Sequence, residues 1–131
     1  MKRITVVVLT KNEEEMLEEC LRSVRWADEV LVVDDESTDR TREIAEKHAD
    51  RVVVNRMVGF GPQRDFGISQ AAGEWIFFVD ADERVPEALR DEILLAVGND
   101  TVHAGYWVRS VNHFLGKVIR HGGWGEWPVL R

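Results

Sequence analysis

Short apolar runs alternate with segments of helical periodicity through residues 1–100 of the chain. Apolar, β-branched runs of about four to eight residues are typical of strands that are covered on both faces of a parallel sheet. The pattern predicts four such strands, over Ile4–Leu9, Glu29–Val33, Arg51–Asn55 and Trp75–Val79.

Helices are predicted after each of these strands, because apolar residues there recur at three- and four-residue spacing. Their expected bounds are Glu13–Val24, Arg40–His48, Gln63–Ala72 and Pro86–Val97. The third is expected to begin after the Gly/Pro break at residues 59–62 and to be ended by a glycine, and proline suits the first position of the fourth. Alternating strands and helices predict an α/β domain with a mainly parallel sheet and right-handed crossovers.

The pattern changes after residue 100, where strand-like segments follow one another without helices between them. Ala104–Val111 and Phe114–Ile119 are predicted as strands of an antiparallel addition to the sheet, with the junction at Asn112–His113 or at Leu115–Gly116. Residues 121–131 contain three glycines and two tryptophans and show no clear period.

Composition narrows the class of protein without naming a function. A length of 131 residues favours one domain, and seventeen scattered basic residues against twenty-four acidic ones argue against nucleic acid as a partner. The single cysteine, Cys20, excludes an intramolecular disulfide, favours a reducing cytoplasm and is interpreted as a core residue. No apolar run could span a bilayer, which predicts a cytoplasmic protein and leaves peripheral association with the inner face of the membrane open.

Polar residues follow each predicted strand, at the edge where parallel sheets bind ligands. These are the segments Thr10–Glu13, Asp34–Asp35, Asn55–Arg56 and Asp80–Asp82. Two acidic pairs converging at one edge indicate a metal together with a sugar or nucleotide.

Asp80 and Asp82 are the strongest candidates for chemistry. Two carboxylates one residue apart at a strand end can point to one spot, where a cation relieves their repulsion. Mg²⁺ or Mn²⁺ would suit these oxygens together with substrate phosphates, with Asp82 binding directly and Asp80 farther out or on a ribose hydroxyl. The alternative is that both residues cap the turn before Pro86.

The other candidates also have two interpretations. Ser37, Thr38 or Asp39 could cap the next helix while Asp34 or Asp35 faces a ligand, and Asp35 could accept a hydrogen bond from the ring N–H of uracil. Arg64 could bind a diphosphate or lie on the surface, and residues 11–12 could simply begin the first helix. The histidines lack zinc-ligand spacing, and His113 and His121 could contact an acceptor or play structural roles.

Together these motifs resemble family 2 glycosyltransferases of the GT-A fold, particularly the lipopolysaccharide-core β-glucosyltransferase-like branch. The resemblance implies inverting transfer of a hexose from a nucleotide diphosphate sugar, UDP-glucose or similar, to a hydroxyl of a glycan or lipid-linked acceptor such as lipopolysaccharide core. The matching segments are Val6–Glu14, Leu17–Val24, Val32–Thr41, Gly59–Arg64, Phe78–Arg84, Asn112–Gly116 and Arg120–Trp124.

The resemblance also implies roles for individual residues. Asp82 would hold the divalent cation, and a carboxylate would deprotonate the acceptor, for which Glu126 is the candidate. The chain departs from the family pattern at two places. The branch typically has an acid shortly after the Gly-Gly-Trp segment, where this chain offers only Glu126, and near relatives commonly have small residues in place of Asp35–Glu36. The residues implied to bind the nucleotide sugar are Thr10, Asn12, Glu13, Asp35, Arg64 and Asp80.

Residues 1–100 would form the nucleotide-sugar-binding part and residues 101–131 the start of the acceptor part. Because relatives continue beyond residue 131, the chain is expected to be truncated, able to bind the donor yet weak in transfer. Trp124 and Trp127 would stack on a sugar or pack on another subunit of a homo-oligomer.

Three other functions are open, and the first two fit the residues less well. A nucleotidyltransferase needs a basic glycine-rich loop after the first strand, and Thr10–Glu13 contains no glycine. A receiver-like regulatory module needs an acidic pair after the first strand, where this chain has Lys11–Asn12. A module that binds the donor without transferring it is the third possibility.

Overall fold

The computed structural model describes residues 3–98, 100–114, 117–119 and 127–130, and these form two compact units, Met1–Asp100 and Thr101–Arg131. Strands and helices alternate through the first unit, as the apolar pattern predicts. Its elements are β1 (Ile4–Thr10), α1 (Leu17–Ser23), β2 (Glu29–Asp34), α2 (Thr41–His48), β3 (Arg51–Val54), α3 (Phe60–Gln70), β4 (Trp75–Asp80) and α4 (Glu87–Gly98).

The sheet of the first unit is parallel throughout, with strand order β3-β2-β1-β4. The chain moves outward from β1 to β2 and β3, then returns past β1 to form β4. The strand order therefore reverses between β1 and β4, and ligands of open α/β sheets bind at this switch point, beyond the carboxyl ends of the strands. The fold class predicted from the sequence is confirmed.

Helix α3 covers one face of the sheet at close range. Val7, Leu31 and Val33 form the buried core of this face. A Cβ at Gly67 would lie 2.9 Å from Val7 Cγ1, so glycine is needed for the helix to pack this closely. Valines of β1 and β2 that alternate with this set, such as Val6 and Val32, are also fully buried and form the core of the opposite face.

Two predicted helix starts are wrong for different reasons. Helix α1 begins at Leu17 and not at Glu13, because the N–H groups of Met16 and Leu17 both bond the Glu13 carbonyl and close a separate turn first. Helix α3 begins at Phe60, ahead of the predicted start at Gln63. Pro62 does not break it, because the N–H groups of the first helical turn have no partner within the helix.

The second unit contains antiparallel strands in two separate pairs. Strand β5 (Trp107–Ser110) pairs with β8 (Trp127–Leu130), and β6 (Asn112–Phe114) pairs with β7 (Lys117–Ile119). Strands β6 and β7 lie on either side of residues 115–116, in agreement with the second of the two predicted junctions, whereas β8 was not predicted. Strand β8 is defined by its pairing with distant β5, which the local pattern of residues 121–131 does not reveal.

Candidate functional site

The carboxyl edge of the parallel sheet brings together most of the predicted site residues. Thr10 pairs with Asp34 across β1 and β2, and Leu9 pairs with Asp80 across β1 and β4. By alternation, Asp80 shares the α3 face with Phe78, whereas Thr10 and Asp34 belong to the opposite face. The acidic residues therefore flank the end of β1 on both sides.

Asn12 holds two loops of this edge together. Its backbone has φ 50°, in the left-handed region, and its N–H donates to Ser37 Oγ at 2.8 Å. Its side-chain Oδ1 accepts the N–H of Thr38 at 2.8 Å. The amide oxygen of Asn12 is thus bonded to the loop after β2, and the binding of the nucleotide sugar by this residue stays a prediction.

Asp34 completes the same network from within the core. It is fully buried, its Oδ2 accepts the N–H of Ser37 at 2.9 Å, and its Oδ1 accepts the Ser37 hydroxyl. Sequence reasoning weighed Asp34 only as an alternative to Asp35 and treated Ser37 as a helix cap. The Asp-x-x-Ser spacing at a strand end is the signal that could have identified this turn.

Asp35 is held in place by donors from two other loops. The N–H of Met57 donates to Asp35 Oδ1 at 2.9 Å, and Lys11 Nζ lies 3.0 Å from Oδ2. These bonds, the Met57 N–H first, lower the pKa of Asp35 below its ordinary value of 3.8. The residue is therefore an ionised acceptor at neutral pH, which is the state that a ring N–H would require.

The Asp80–Asp82 turn is closed by its neighbour Glu83. The N–H of Asp80 donates to Glu83 Oε1 at 2.8 Å, and the N–H of Glu83 donates to the Asp80 carbonyl at 2.9 Å. Asp82 is exposed, and its carboxylate makes no hydrogen bond or ion pair with any residue that the structure describes. Glu83 thus performs the capping that was considered for Asp82.

Negative charge from two loops meets beside Asp82. The pKa of Glu13 is raised above 4.5, first by burial and then by the charges of Asp82 and Asp39. Asp82 offers one exposed carboxylate here, and among the described residues no group of three or more metal-ligating side chains occurs. This arrangement fits Mg²⁺ or Mn²⁺ carried on a diphosphate, because such ions bind one or two carboxylates plus phosphate oxygens and water.

Two buried polar atoms at this edge lack hydrogen-bond partners among the described residues. They are Thr10 Oγ1 and Arg64 Nε. The Arg64 guanidinium carbon lies 5.7 Å from the ring centroid of Phe78, two residues before Asp80 on the same face of β4. Buried polar groups are nearly always hydrogen-bonded, so these two atoms mark places where a ligand could supply the missing partner.

Some predicted residues fall outside this description. Glu126, the expected general base, lies outside the described residues, as do His121 and Trp124. The backbone of His113 lies in strand β6. Over the part of the chain that is described, no helix combines the length and apolar character needed to cross a bilayer.

The chain matches a family model over most of its length. Residues 5–128 match the model described as glycosyl transferase family 2. An uncharacterized glycosyltransferase of Rickettsia typhi is 35% identical over 119 residues, covering 88% of this chain and 41% of the relative. A lipopolysaccharide core biosynthesis glycosyltransferase of Rhizobium meliloti is 31% identical over 106 residues, which cover 76% of this chain and 39% of the relative. The chain thus spans about two fifths of these relatives.

A solved structure supports the same assignment. Glucosyl-3-phosphoglycerate synthase from Mycobacterium tuberculosis, in complex with Mn²⁺, UDP and glucosyl-3-phosphoglycerate, superposes with a TM-score of 0.62 at 26% identity. The match covers 75% of this chain and 41% of that one. Together with the α/β topology and the family match over residues 5–128, these similarities show that the chain belongs to glycosyl transferase family 2 and has a GT-A-like fold.

Proposed function

We propose that the protein is a metal-dependent, inverting glycosyltransferase that takes a hexose from a UDP-sugar, such as UDP-glucose, to a hydroxyl of a glycan or lipid-linked acceptor. The observation that carries this proposal is the pair of unpartnered buried polar atoms, Thr10 Oγ1 and Arg64 Nε, at the carboxyl edge of the sheet where the Asp80–Asp82 turn also begins. A nucleotide diphosphate offers acceptors for both atoms.

Asp35 would select the base and Arg64 would bind the diphosphate. Asp35 is ionised and fixed from two sides, so it can accept the ring N–H of uracil. Arg64 makes no ion pair within the described residues, and a guanidinium binds phosphate oxygens through two parallel N–H groups. Glu13 would face the donor from the loop after β1, beside the cation.

Asp82 would hold the divalent cation, with Asp80 farther out or on the ribose. When bound, such a cation neutralises the charge that develops on a departing diphosphate. Arg64 would add a second positive charge there. The general base that deprotonates the acceptor hydroxyl is assigned to Glu126 in residues 101–131, the part proposed to begin the acceptor site.

The acceptor is proposed to belong to the cell envelope, with lipopolysaccharide core as the first candidate. The support is the name of the Rhizobium meliloti relative, which is 31% identical over 106 residues. A lipid-linked acceptor would place the protein in the cytoplasm at the inner face of the membrane, as a peripheral protein.

Binding of UDP with and without Mn²⁺ tests the donor site directly. Saturating UDP with Mn²⁺ should stabilise the chain by about 2.7 kcal/mol at a ligand concentration of 100 times Kd, measured by thermal unfolding. Asp82→Ala should weaken Mn²⁺-dependent UDP binding by roughly a hundredfold in calorimetry. Asp91→Ala is the matched control, because Asp91 is exposed on α4 and pairs with Arg90 at 2.9 Å.

The same experiment can reject the proposal. Equal binding of UDP in Mn²⁺ and in EDTA would exclude the metal role of Asp82. Binding of UDP but no turnover with any sugar acceptor would favour the donor-binding module over the transferase.

A further inference from the structure

Helix α1 contacts the acidic turn at three points. The thiol of Cys20 donates to the carbonyl of Asp80 at 3.5 Å. The hydroxyl of Ser23 accepts the N–H of Val85 at 3.1 Å. An ion pair joins Glu19 Oε2 to Arg84 at 3.1 Å. The helix thus bonds the backbone before Asp82 and after it.

Within the turn, the two bonds between Asp80 and Glu83 hold the backbone, and no described residue holds the Asp82 side chain itself. Asp82 is exposed and its carboxylate has no hydrogen-bond partner among the described residues, so only the backbone sets its position. Ala81 and Val85 are buried on either side of it, at 3% and 8% exposure, which anchors the turn in the core. A ligand that is fixed by its backbone depends on whatever fixes that backbone.

We infer that Ser23 is a positioning residue for the cation site, acting through the turn that it holds. The inference rests on the proposed function, since it takes Asp82 as the cation ligand. The Ser23 hydroxyl has two bonds, because it also donates to the Cys20 carbonyl at 2.7 Å. It therefore links the last turn of α1 to the backbone of Val85, and its loss frees that N–H and loosens the turn.

Ser69 provides a closely matched control. Its hydroxyl donates to the Phe66 carbonyl at 2.6 Å. Ser23 makes the equivalent bond to the Cys20 carbonyl, and in both cases the acceptor lies three residues earlier in the chain. Both serines lie near the end of a helix, but Ser69 is exposed on α3 and accepts no N–H from the acidic turn. Replacing either serine by alanine removes the same local bond, and only Ser23→Ala also removes the bond to the turn.

The test measures Mn²⁺ binding to the chain saturated with UDP, from the paramagnetic resonance signal of free Mn²⁺. Ser23→Ala should raise the Mn²⁺ Kd by about tenfold, the range seen when a residue that supports a metal ligand is lost. Ser23→Thr, which keeps the hydroxyl, should restore the affinity, and Ser69→Ala should leave it unchanged. UDP binding in EDTA should be the same in all of these variants.

Each outcome decides the inference. An unchanged Mn²⁺ Kd in Ser23→Ala, or an equal loss in Ser69→Ala, would overturn the role of Ser23 while leaving Asp82 as a ligand. Unchanged Mn²⁺ binding in Asp82→Ala would reject the proposed cation site and this inference with it. Glu19→Gln gives a second test at an exposed position, and it should weaken Mn²⁺ binding in the same direction by breaking the pair to Arg84.

Discussion

At the amino edge of the parallel sheet the buried carboxylate of Glu29 accepts three hydrogen bonds, whereas at the carboxyl edge two buried polar atoms have none among the described residues. Glu29 receives the Thr5 hydroxyl at 2.7 Å, Arg51 at 3.0 Å and the Ala72 N–H at 2.9 Å. Both oxygens of that carboxylate accept hydrogen bonds, as is usual for a buried polar group in a protein core.

The carboxyl edge is paired only in part. Asp34 and Asp35 are well bonded and hold the loops, but Thr10 Oγ1, Arg64 Nε and the Asp82 carboxylate lack hydrogen-bond partners among the described residues. Leaving a buried polar group unpaired costs roughly 1–3 kcal/mol. The comparison teaches that hydrogen bonding is complete around Glu29 at one edge of the sheet and incomplete at the other, where the proposed donor site lies.

The largest expected effect is the loss of stability in Glu29→Ala. The variant leaves the buried Thr5 hydroxyl and the Ala72 N–H without their acceptor and removes the ion-pair partner of Arg51, which keeps its bond to the Gln70 carbonyl. The free energy of unfolding should fall by about 3 kcal/mol in urea denaturation, while UDP binding by the folded fraction stays unchanged. A loss of UDP affinity in the folded state would show that the two edges are not separate.

The contribution of Glu29 to stability should also depend on pH, with a smaller effect than its replacement by alanine. Burial raises the pKa of Glu29, but the bonds from Ala72, Thr5 and Arg51 together outweigh this effect and lower the pKa below 4.5. A lowered folded-state pKa gives stability above the unfolded pKa that is lost as pH falls. The difference in unfolding free energy between wild type and Glu29→Gln should therefore shrink as pH drops below 4.5. A constant difference would contradict the lowered pKa.

The smallest effect on stability should come from Thr10→Val, and its sign should be opposite. The substitution replaces an unpaired buried hydroxyl with a methyl group of similar size. The free energy of unfolding should rise by about 1 kcal/mol, while UDP binding weakens. Thr10→Ser keeps the hydroxyl and serves as the control. A destabilised Thr10→Val would mean that the hydroxyl already has a partner.

The fold was predictable because its main signal is local. Each strand of the first unit appears as an apolar run, and observed strand ends lie within one residue of the predicted ones, as for Glu29–Asp34 against Glu29–Val33. The starts of α1 and α3 were missed, because the first depends on the turn closed at Glu13 and the second on a proline tolerated at the helix start.

The location of the candidate site was predictable, but the hydrogen-bond partners of its residues were not. The rule that ligands bind beyond strand ends located Thr10, Asp35 and Asp80 correctly at one edge. It could not tell that the side chain of Asn12 is engaged by Thr38, because that bond joins residues 26 positions apart. Nor could it identify Ser23, whose partner Val85 lies 62 positions away in the sequence.

The contact between Cys20 and the Asp80 carbonyl also gives the chain an internal probe of local opening. Burial raises the pKa of this thiol to about 12, and the side chain has no exposed surface. Alkylating reagents attack the thiolate, so Cys20 can react at neutral pH only from an open state that exposes it. The rate of carbamidomethylation in native buffer therefore measures the population of that open state, and comparison with the global unfolding free energy shows whether the opening is local.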